Sequence, residues 1–335
     1  MTERSELLAA AAARMLGQDN ALLLPLQGGG NARLFKVTTG AKHFVLKAYP
    51  AMNGDGRDRR FTEWQALQFM AAGGIPNVPQ PVATDKQSNA SVLSWCEGAA
   101  VAADDPAIDQ AARFINQLNQ HRTVPAAASL PLASEACLSA SELARQLNQR
   151  LQRLQQDAIA DDDLQVFLSR HLAPATATWP AAAKEAYAQR DWSFSEPLKP
   201  AAQCLSPSDF GFHNALQNTA GQLSFVDFEY FGWDDPVKLA ADFSLHPGMN
   251  LHPDQGRRFS TALSAFFGAK DGPDPGFAER LEILLPLYRL RWCCIVLNEF
   301  LPARWQRRQA AGNREHYRSV LRRQLQKAER LFNGA

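Results

Sequence analysis

The chain has 335 residues, of which 46% are hydrophobic and 21% charged, a composition that argues against disorder and allows one large domain or a two-lobed enzyme. Its formal net charge of +1 argues against a general nucleic-acid binder and gives no signal for a membrane surface. The five cysteines are scattered without the spacing of a zinc site or a disulfide framework, which favours a reducing cytoplasm.

The first hundred residues predict a small lobe that is mostly sheet. The acidic start and the lack of a clear cleavage site argue against a signal peptide. Apolar spacing and turn residues then predict a series of elements. These are a helix over residues 5–15, a strand over 21–26, a hairpin over 34–48, a helix over 58–72 and a strand pair over 81–95.

From residue 107 onward the apolar spacing is helical. Helices are predicted over residues 109–121, 139–158, 237–245, 253–267, 277–300 and 314–332. The exception is 204–229, where two short strands flank a turn at 218–221. The apolar stretch 281–300 is interrupted by charges and a proline, so it reads as a helix of the core and not as a membrane span. We therefore predict an α+β fold with two lobes: a β-rich N-terminal lobe, residues 1–97, and a larger helical lobe, residues 98–335.

A glycine run lies between the first two predicted strands, as Gln27-Gly28-Gly29-Gly30-Asn31. Glycines let backbone amides approach phosphate oxygens without obstruction by side chains. The run is neither a Walker A sequence nor a Rossmann fingerprint. Taken alone, it is more typical of a flexible turn than of a phosphate-binding loop.

Lys47 ends an alternating strand, and Glu63 follows sixteen residues later in the first half of the next helix. A strand lysine is usually a solvated edge residue. A lysine on a strand and a glutamate on the following helix can, however, form an ion pair beneath a glycine loop. Such a pair would hold the lysine against the α- and β-phosphates of ATP.

Asp209, Asn214 and Asp227 form a second pattern, in the segment with the two short strands. Asp209 could accept a proton from an attacking hydroxyl, and Asn214 could hold Mg²⁺ by its amide oxygen. Asp227 follows an apolar run, and a carboxylate there could bridge Mg²⁺ to the phosphates. Each residue alone is also typical of a turn cap. Their order downstream of Lys47 and Glu63 favours phosphoryl transfer.

Six segments carry a family resemblance. They are GGGN at 28–31, VLK ending at Lys47, EWQAL from Glu63, LSWCEG at 93–98, SDFGFHNAL from Ser208 and VDFEYFGWDDP ending at Pro236. In these segments the chain resembles the aminoglycoside phosphotransferase and choline kinase family, small-molecule kinases with a bilobal, protein-kinase-like fold. The resemblance spans roughly residues 20–245; it is specific in the catalytic segment and weak in the glycine loop.

The resemblance implies roles on the nucleotide side. The loop of Gly28, Gly29, Gly30 and Asn31 would cover the phosphates of ATP, Lys47 would contact them and Glu63 would anchor that lysine. The backbone at Trp95 and Cys96 would be the hinge that binds adenine.

On the chemical side, the resemblance makes Asp209 the catalytic base and Asn214 and Asp227 the ligands of Mg²⁺. It implies transfer of the ATP γ-phosphate to a hydroxyl of a small molecule, such as an amino-sugar, a sugar, an amino-alcohol or an amino-acid derivative. A sugar or amino-sugar is the acceptor that we expect.

The chain departs from the family at two places. Pro207 stands where the family usually has a histidine that supports the loop, and Leu239 stands where an aspartate is common. Pro207 fixes its own φ and biases Ser206 towards an extended conformation, so it could stiffen the loop by another route. Asp242 is the nearest substitute for the second residue.

The acceptor side carries conflicting charges. Glu229, Asp234 and Asp235 could attract a cationic acceptor, although Asp235 is better explained as a helix cap. Arg291 and Glu299 could form an internal ion pair or contact the substrate. The basic stretch 304–330 is more typical of a solvated helix than of a site for an anion.

Two other functions remain alternatives. A protein kinase would need a longer activation segment than the few residues between Asp227 and the Asp-Asp-Pro at 234–236 provide. A nucleotide-binding scaffold without activity would be expected to have lost Lys47, Asp209, Asn214 or Asp227, and all four are present.

Overall fold

The computed structural model describes residues 3–26, 32–50, 56–305 and 316–334. It divides into two compact units, the first of Met1–Ser134 with Leu205–Trp233 and the second of Glu135–Cys204 with Asp234–Ala335. Antiparallel strands gather in the first unit and helices dominate the second, so the α+β class is confirmed. The predicted boundary after residue 97 separates an ATP-binding lobe from an acceptor lobe. The division into two compact units does not test these functions, so this boundary stays a prediction.

The first unit is built on a five-stranded antiparallel sheet. Its strands are β1 Leu22–Pro25, β2 Arg33–Thr39, β3 Lys42–Ala48, β4 Pro81–Asp85 and β5 Ala90–Ser94, in the order β1-β2-β3-β5-β4. Lys47 pairs with Leu34 on one side and with Ser91 on the other. It therefore lies on the central strand and is not an edge residue.

Two helices belong to this sheet lobe, α1 Glu3–Leu16 and α2 Arg59–Ala72, and both agree with the predicted helices. Leu8 and Ala12 of α1 pack with apolar residues of β2, β3 and β5 such as Leu46. The Asp58 side chain caps α2 by accepting the Phe61 amide at 2.9 Å. These contacts fix the strand that carries Lys47 and the helix that carries Glu63.

Besides these elements, the described part of the chain forms one longer helix and five short strands within or at the borders of the first unit. They are β6 Ala99–Ala100, α3 Asp105–Gln120, β7 Cys204–Ser206, β8 Ala215–Gln217, β9 Leu223–Phe225 and β10 Gly232–Asp234. β6, β8 and β9 form a three-stranded sheet, and β8 and β9 are the predicted strand pair. α3 begins four residues before its predicted start, because Asp104 caps it and Pro106 is tolerated in its first turn.

The second unit is helical. Its helices are α4 Ala140–Asp157, α5 Asp162–Phe167, α6 Ala173–Ala188, α7 Pro236–Leu245, α8 Pro253–Phe267, α9 Phe277–Leu297 and α10 Tyr317–Asn333. One core joins leucines of α4 to apolar residues of α9 and α10, among them Leu147, Leu290 and Leu325. No helix in the described ranges combines the length and apolarity needed to cross a membrane. The cytoplasmic location stays a prediction.

The helices α5 and α6 were not predicted from the sequence. Pro174 and Pro180 within this segment argue against a helix, but Pro174 falls in the first turn of α6 and Pro180 is accommodated inside it. α5 begins after Asp161, whose side chain caps it by accepting the Leu164 amide at 2.9 Å.

Candidate active site

Lys47 is the centre of a buried ion cluster in the first unit. Its Nζ lies 2.7 Å from Glu63 Oε2, 2.7 Å from Asp227 Oδ1 and 3.4 Å from Glu229 Oε2. Only 4% of the lysine is exposed. The structure thus brings together three residues that the sequence analysis singled out, across 180 positions of the chain. Their roles towards ATP stay predictions.

Both oxygens of Glu63 are held in place. Oε2 accepts the hydroxyl of Tyr49 at 2.7 Å in addition to the Lys47 ammonium, and Oε1 accepts the backbone amide of Phe228 at 3.0 Å. Glu63 therefore ties helix α2 both to strand β3 and to the segment that carries Asp227. Neither the role of Tyr49 nor the amide contact can be predicted from a local pattern in the sequence.

Glu229 is a member of the cluster that the sequence analysis placed on the acceptor side. It is 1% exposed, and its Oε1 accepts Arg59 at 3.2 Å. The expectation that Glu229 attracts a cationic acceptor is not supported, since two cations of the protein already face this buried carboxylate. Arg59 also lies over the Tyr230 ring, 5.0 Å from its centroid.

The charges of this cluster shift one another's pKa. Burial alone would lower the pKa of Lys47, but Glu63 and Asp227 outweigh it and hold this pKa well above its usual value. Burial raises the pKa of Glu229, and the neighbouring Asp227 and Glu63 add to this against Lys47 and Arg59. Lys47 is therefore a fixed cation at neutral pH.

Asp227 stands at the edge of the cluster on unusual backbone. Its φ is 69°, in the left-handed region that non-glycine residues rarely adopt, and its side chain is 32% exposed. The preceding residue, Val226, donates its amide to the carbonyl of Asn214 at 2.9 Å. This bond joins the segment of Asp227 to the segment of Asn214.

The predicted catalytic loop brings Asp209 and Asn214 together. Asn214 Nδ2 donates to the Asp209 carbonyl at 2.9 Å and lies 3.4 Å from Asp209 Oδ2. Nε2 of His213 lies 3.1 Å from Asp209 Oδ1. With 41% of its side chain exposed, Asp209 can be reached by an acceptor.

The loop is supported without a histidine at position 207. Ser206 Oγ accepts the Ser208 amide at 3.0 Å, and Ser208 Oγ donates to the Ser134 carbonyl at 3.2 Å. Ser208 has a φ of 70°, so these two bonds hold a strained backbone just before Asp209. The two serines are the local brace in this variant of the loop.

A buried asparagine fixes the strand that leads into the loop. Asn119 of α3 is fully buried; its Oδ1 accepts the Leu205 amide at 2.8 Å and its Nδ2 donates to the Leu205 carbonyl at 3.0 Å. Because an unpaired buried amide would be costly, these two hydrogen bonds fix the position of β7 relative to α3.

Aromatic packing holds the segments of Asp209 and Asp227 against the same helix. The ring centroid of Phe114 on α3 lies 5.8 Å from that of Phe210, 4.6 Å from Phe225 and 6.3 Å from Phe228. These residues neighbour Asp209 and Asp227 in sequence. In the sequence, Phe210 follows Asp209 and Phe228 follows Asp227. Their common partner Phe114 lies about a hundred residues away, so a local pattern cannot identify it.

The predicted hinge has a defined geometry. Residues 95–98 lie between β5 and β6, and the ammonium of Lys36 lies 4.5 Å above the Trp95 ring. Gly98 approaches the backbone of β8 so closely that a Cβ would lie 2.9 Å from the Gln217 carbonyl oxygen. Burial raises the pKa of Cys96. The predicted loop of Gly28, Gly29, Gly30 and Asn31 lies outside the described residues.

The other acidic candidates are structural members of the second unit. Lys238 lies 2.7 Å from Asp234, and Asp235 caps α7 through the Val237 amide at 2.8 Å and pairs with Arg280. The cap interpretation of Asp235 is thus confirmed. The expectation that Asp234 attracts a cationic acceptor is not supported, because its charge is already paired.

Asp242 and the late basic residues also have internal partners. Asp242 accepts Trp292 Nε1 at 2.8 Å and Arg291 Nη1 at 3.2 Å, so it braces α7 against α9. Arg304 lies 3.3 Å from Glu299. In place of the suggested pair of Arg291 with Glu299, Arg291 therefore pairs with Asp242, and Glu299 pairs with Arg304.

The donor set beside the loop suits a magnesium ion. Asn214 directs its amide nitrogen at Asp209, which leaves Oδ1 as its cation-binding atom, and Asp227 presents a partly exposed carboxylate. Amide and carboxylate oxygens are ligands that Mg²⁺ accepts together with phosphates and water. The residues present therefore fit the predicted ion.

Several solved structures have the same fold. A choline/ethanolamine kinase family protein from Mesorhizobium loti is 18% identical, with a TM-score of 0.60, and the match covers 98% of this chain and 94% of that one. The choline kinase LicA from Streptococcus pneumoniae is 12% identical with a TM-score of 0.60 and full coverage of both chains. A streptomycin–ATP–APH(2″)-IIa ternary complex is 12% identical, with a TM-score of 0.55 and coverage of 88% and 91%.

The family comparison identifies the chain more directly. No curated protein sequence matches it. The model of the phosphotransferase enzyme family, APH, matches residues 23–275, well over half of the chain and the whole of the candidate site. The chain thus has a kinase-like fold and belongs to the phosphotransferase enzyme family, whose members include small-molecule kinases.

Proposed function

We propose that the protein transfers the γ-phosphate of ATP, in the presence of Mg²⁺, to a hydroxyl of a small molecule, and that this acceptor is a sugar or an amino-sugar. The observation that carries the proposal is the joining of two groups of residues. Lys47 binds Glu63 and Asp227, and the Val226–Asn214 backbone bond links that cluster to the loop of Asp209.

Asp209 is the proton acceptor in this reaction. The acceptor's hydroxyl oxygen forms a bond to the γ-phosphorus, the bond from that phosphorus to the β,γ-bridging oxygen breaks, and ADP leaves. The hydroxyl proton passes to the Asp209 carboxylate and from there to solvent. The exposed fraction of this side chain, 41%, supports access by an acceptor from solution.

Lys47 positions the phosphates of the nucleotide. A fixed ammonium, paired with Glu63, whose Oε2 also accepts the Tyr49 hydroxyl, would place positive charge beside the α- and β-phosphates. Trp95 and Cys96 supply the hinge backbone for adenine. The loop of residues 28–31 completes the phosphate site in this proposal.

Asn214 and Asp227 would hold the magnesium ion through their side-chain oxygens. The ion supplies charge neutralisation for the phosphates when bound. Asp227 now accepts from Lys47 with Oδ1, so the lysine orients the carboxylate that the ion needs.

The acceptor class is supported by comparison with relatives. One neighbouring structure holds streptomycin together with ATP, and others are choline and ethanolamine kinases. Streptomycin, choline and ethanolamine, the molecules in these names, are small polar molecules with hydroxyl groups. Internal pairing of Glu229, Asp234 and Asp235 removes the main sequence argument for a strongly cationic acceptor.

The test is an acceptor screen that reads ADP release. Purified protein is incubated with ATP and Mg²⁺ and with panels of sugars, amino-sugars and amino-alcohols, and a generic protein substrate serves as a separate arm. We expect Mg²⁺-dependent ADP release that requires a sugar or amino-sugar. ADP binding without turnover on every acceptor would instead indicate a scaffold, and turnover on the protein substrate alone would indicate a protein kinase.

A further inference from the structure

The carboxylate of Asp209 has a side-chain neighbour that the family pattern does not assign. His213 lies four residues later, in the short 3₁₀ turn Phe212–Asn214, and its Nε2 is 3.1 Å from Asp209 Oδ1. Nothing in the spacing of Asp209 and Asn214 requires a histidine between them. The contact is visible only because the turn bends the chain back towards Asp209.

The two oxygens of Asp209 have different surroundings. Oδ1 faces the His213 ring at 3.1 Å, whereas Oδ2 is 3.4 Å from Asn214 Nδ2, a longer contact. Asn214 also donates to the Asp209 carbonyl at 2.9 Å, so the backbone of the loop is held independently. A half-exposed carboxylate with a fixed backbone can still rotate about its side-chain bonds. The contact at Oδ1 restrains that rotation.

We propose that His213 is a positioning residue for the base. With its proton on Nε2, it donates to Oδ1 and fixes the plane of the Asp209 carboxylate, so that Oδ2 faces the hydroxyl of the acceptor. A hydrogen bond to a carboxylate is among the stronger ones, and it fixes direction as well as distance. This inference rests on the proposed phosphotransferase function, and it assigns His213 no contact with the phosphates.

The physical argument is one of geometry. A proton acceptor must lie within hydrogen-bond reach of the hydroxyl, and a small misplacement of a reacting group can cost a large factor in rate. Pro207, two residues before Asp209, has no side-chain donor, and Ser206 and Ser208 hold the backbone and not the carboxylate. His213 adds the restraint on the carboxylate itself.

The kinetic test compares His213→Ala and His213→Gln with the wild type. We expect His213→Ala to lower kcat by about 30-fold while the KM for ATP stays within about twofold, because orientation of the base is lost but the nucleotide site is intact. Gln carries an amide nitrogen near the place of Nε2, so His213→Gln should recover to within about fivefold of wild type. His43→Ala, an exposed histidine on β3, is the matched control.

A double-mutant cycle separates positioning from other roles. In the background of Asp209→Asn, His213→Ala should change the residual rate by less than about twofold, because a residue that acts through Asp209 has nothing left to orient. An equal loss in both backgrounds would overturn the proposal. A raised KM for the acceptor with unchanged kcat would also overturn it, and would make His213 a substrate contact.

A measurement without turnover tests the contact itself. In protein with ¹⁵N-labelled histidine and no substrate, Asp209→Asn should shift the Nε2 resonance of His213 and leave that of His43 unchanged. An unshifted His213 resonance would refute the hydrogen bond whether or not the enzyme turns over. Absence of turnover by wild type on every acceptor, with the His213 resonance shifted, would instead count against the proposed function alone.

Discussion

Two lysines are almost completely buried, one in each unit, and their surroundings differ. Lys47 in the first unit is 4% exposed and Lys238 in the second is 1% exposed. Each lies 2.7 Å from its nearest carboxylate, and the pKa of each is raised because acidic neighbours outweigh the burial that would lower it.

The carboxylates around Lys238 are fully engaged within the second unit. Asp234 also accepts the amides of Cys137 and Asp235, at 3.0 Å and 2.9 Å, and Asp242 accepts Trp292 and Arg291. Such a saturated network is built to fix helices against one another.

The carboxylates around Lys47 are different. Asp227 is 32% exposed, sits on left-handed backbone and adjoins the segment of Asn214. Two cations, Lys47 and Arg59, face three carboxylates whose oxygens lie within 4.8 Å of one another. A buried lysine–carboxylate cluster therefore has a structural role at Lys238, where the carboxylates already have their partners within the protein. At Lys47 such a cluster is suited to binding a ligand, because the carboxylate of Asp227 remains accessible.

The largest expected effect lies in the first unit, at Asp209. Asp209→Asn should lower kcat by about 10³-fold, since the amide cannot accept the hydroxyl proton, while the affinity for ATP stays similar. Steady-state ADP release and equilibrium binding of ATP measure the two quantities. Asp163→Asn, an exposed aspartate of α5, is the control and should match wild type. Equal loss of ATP affinity would count against Asp209 as the base.

The second effect should be on stability, at Lys238. Lys238→Met leaves Asp234 and Asp242 buried without their ammonium, which should lower the free energy of unfolding by about 3–5 kcal/mol. Urea unfolding measures the loss, and adding Asp234→Asn should recover part of it. Per folded molecule, kcat/KM for ATP should stay within about twofold. A large kinetic defect would break the distinction between the two lysines.

Lys47→Met is the matched change in the first unit, and here the quantity of interest is the effect on function, measured separately from the stability lost when the buried Glu63 and Glu229 lose their ammonium. We expect kcat/KM for ATP to fall about 100-fold, or about 2.7 kcal/mol, because the phosphates lose their fixed cation. Initial rates over a range of ATP concentrations check this, on protein whose folding is verified by circular dichroism. Wild-type kinetics in this variant would remove the assignment of Lys47 to the nucleotide.

The smallest effect is a pH dependence at Glu135, a half-exposed residue beside Arg150 and Arg291. Burial would raise its pKa, but the two arginines outweigh this and lower it. A carboxyl group with a lowered folded-state pKa contributes stability above its unfolded pKa and loses it as the pH falls through the folded value.

Glu135→Gln should therefore lower the free energy of unfolding at pH 7 by about 0.5–1 kcal/mol, a modest amount because solvent screens the pair. The difference from wild type should vanish in acid. Urea unfolding of both proteins across this pH range gives the comparison. A difference that persists at the acidic end would show that packing, and not charge, is responsible.

Much of the site follows from local patterns in the sequence. The strand of Lys47, the helix of Glu63 and the loop from Asp209 to Asn214 can each be predicted because their periodicity or turn chemistry is local. The roles of these residues came from order along the chain and from family resemblance. The helix α6 was not predicted because its segment contains prolines. A proline is unfavourable in most of a helix but tolerated in its first turn.

Other features depend on which distant groups meet. The sequence pattern predicts an acceptor contact for Glu229, but in the structure Glu229 pairs with Arg59 and Lys47, 170 and 182 positions away along the chain. Likewise, Asn119 is an unremarkable helix residue in sequence, and only folding places its amide on the backbone of Leu205. Burial gives these contacts their strength, and burial is a property of the whole fold.

By itself, the sequence determined the class of the fold and the family, and it predicted which residues handle phosphate, a metal ion and a proton. These conclusions rest on residue types, local periodicity, order along the chain and resemblance to a known family. The tertiary structure alone decided which charges are consumed internally, how the loop is braced with Pro207 in place, and that His213 reaches Asp209. Each of these depends on distances of a few ångströms between groups, and a linear pattern does not contain them.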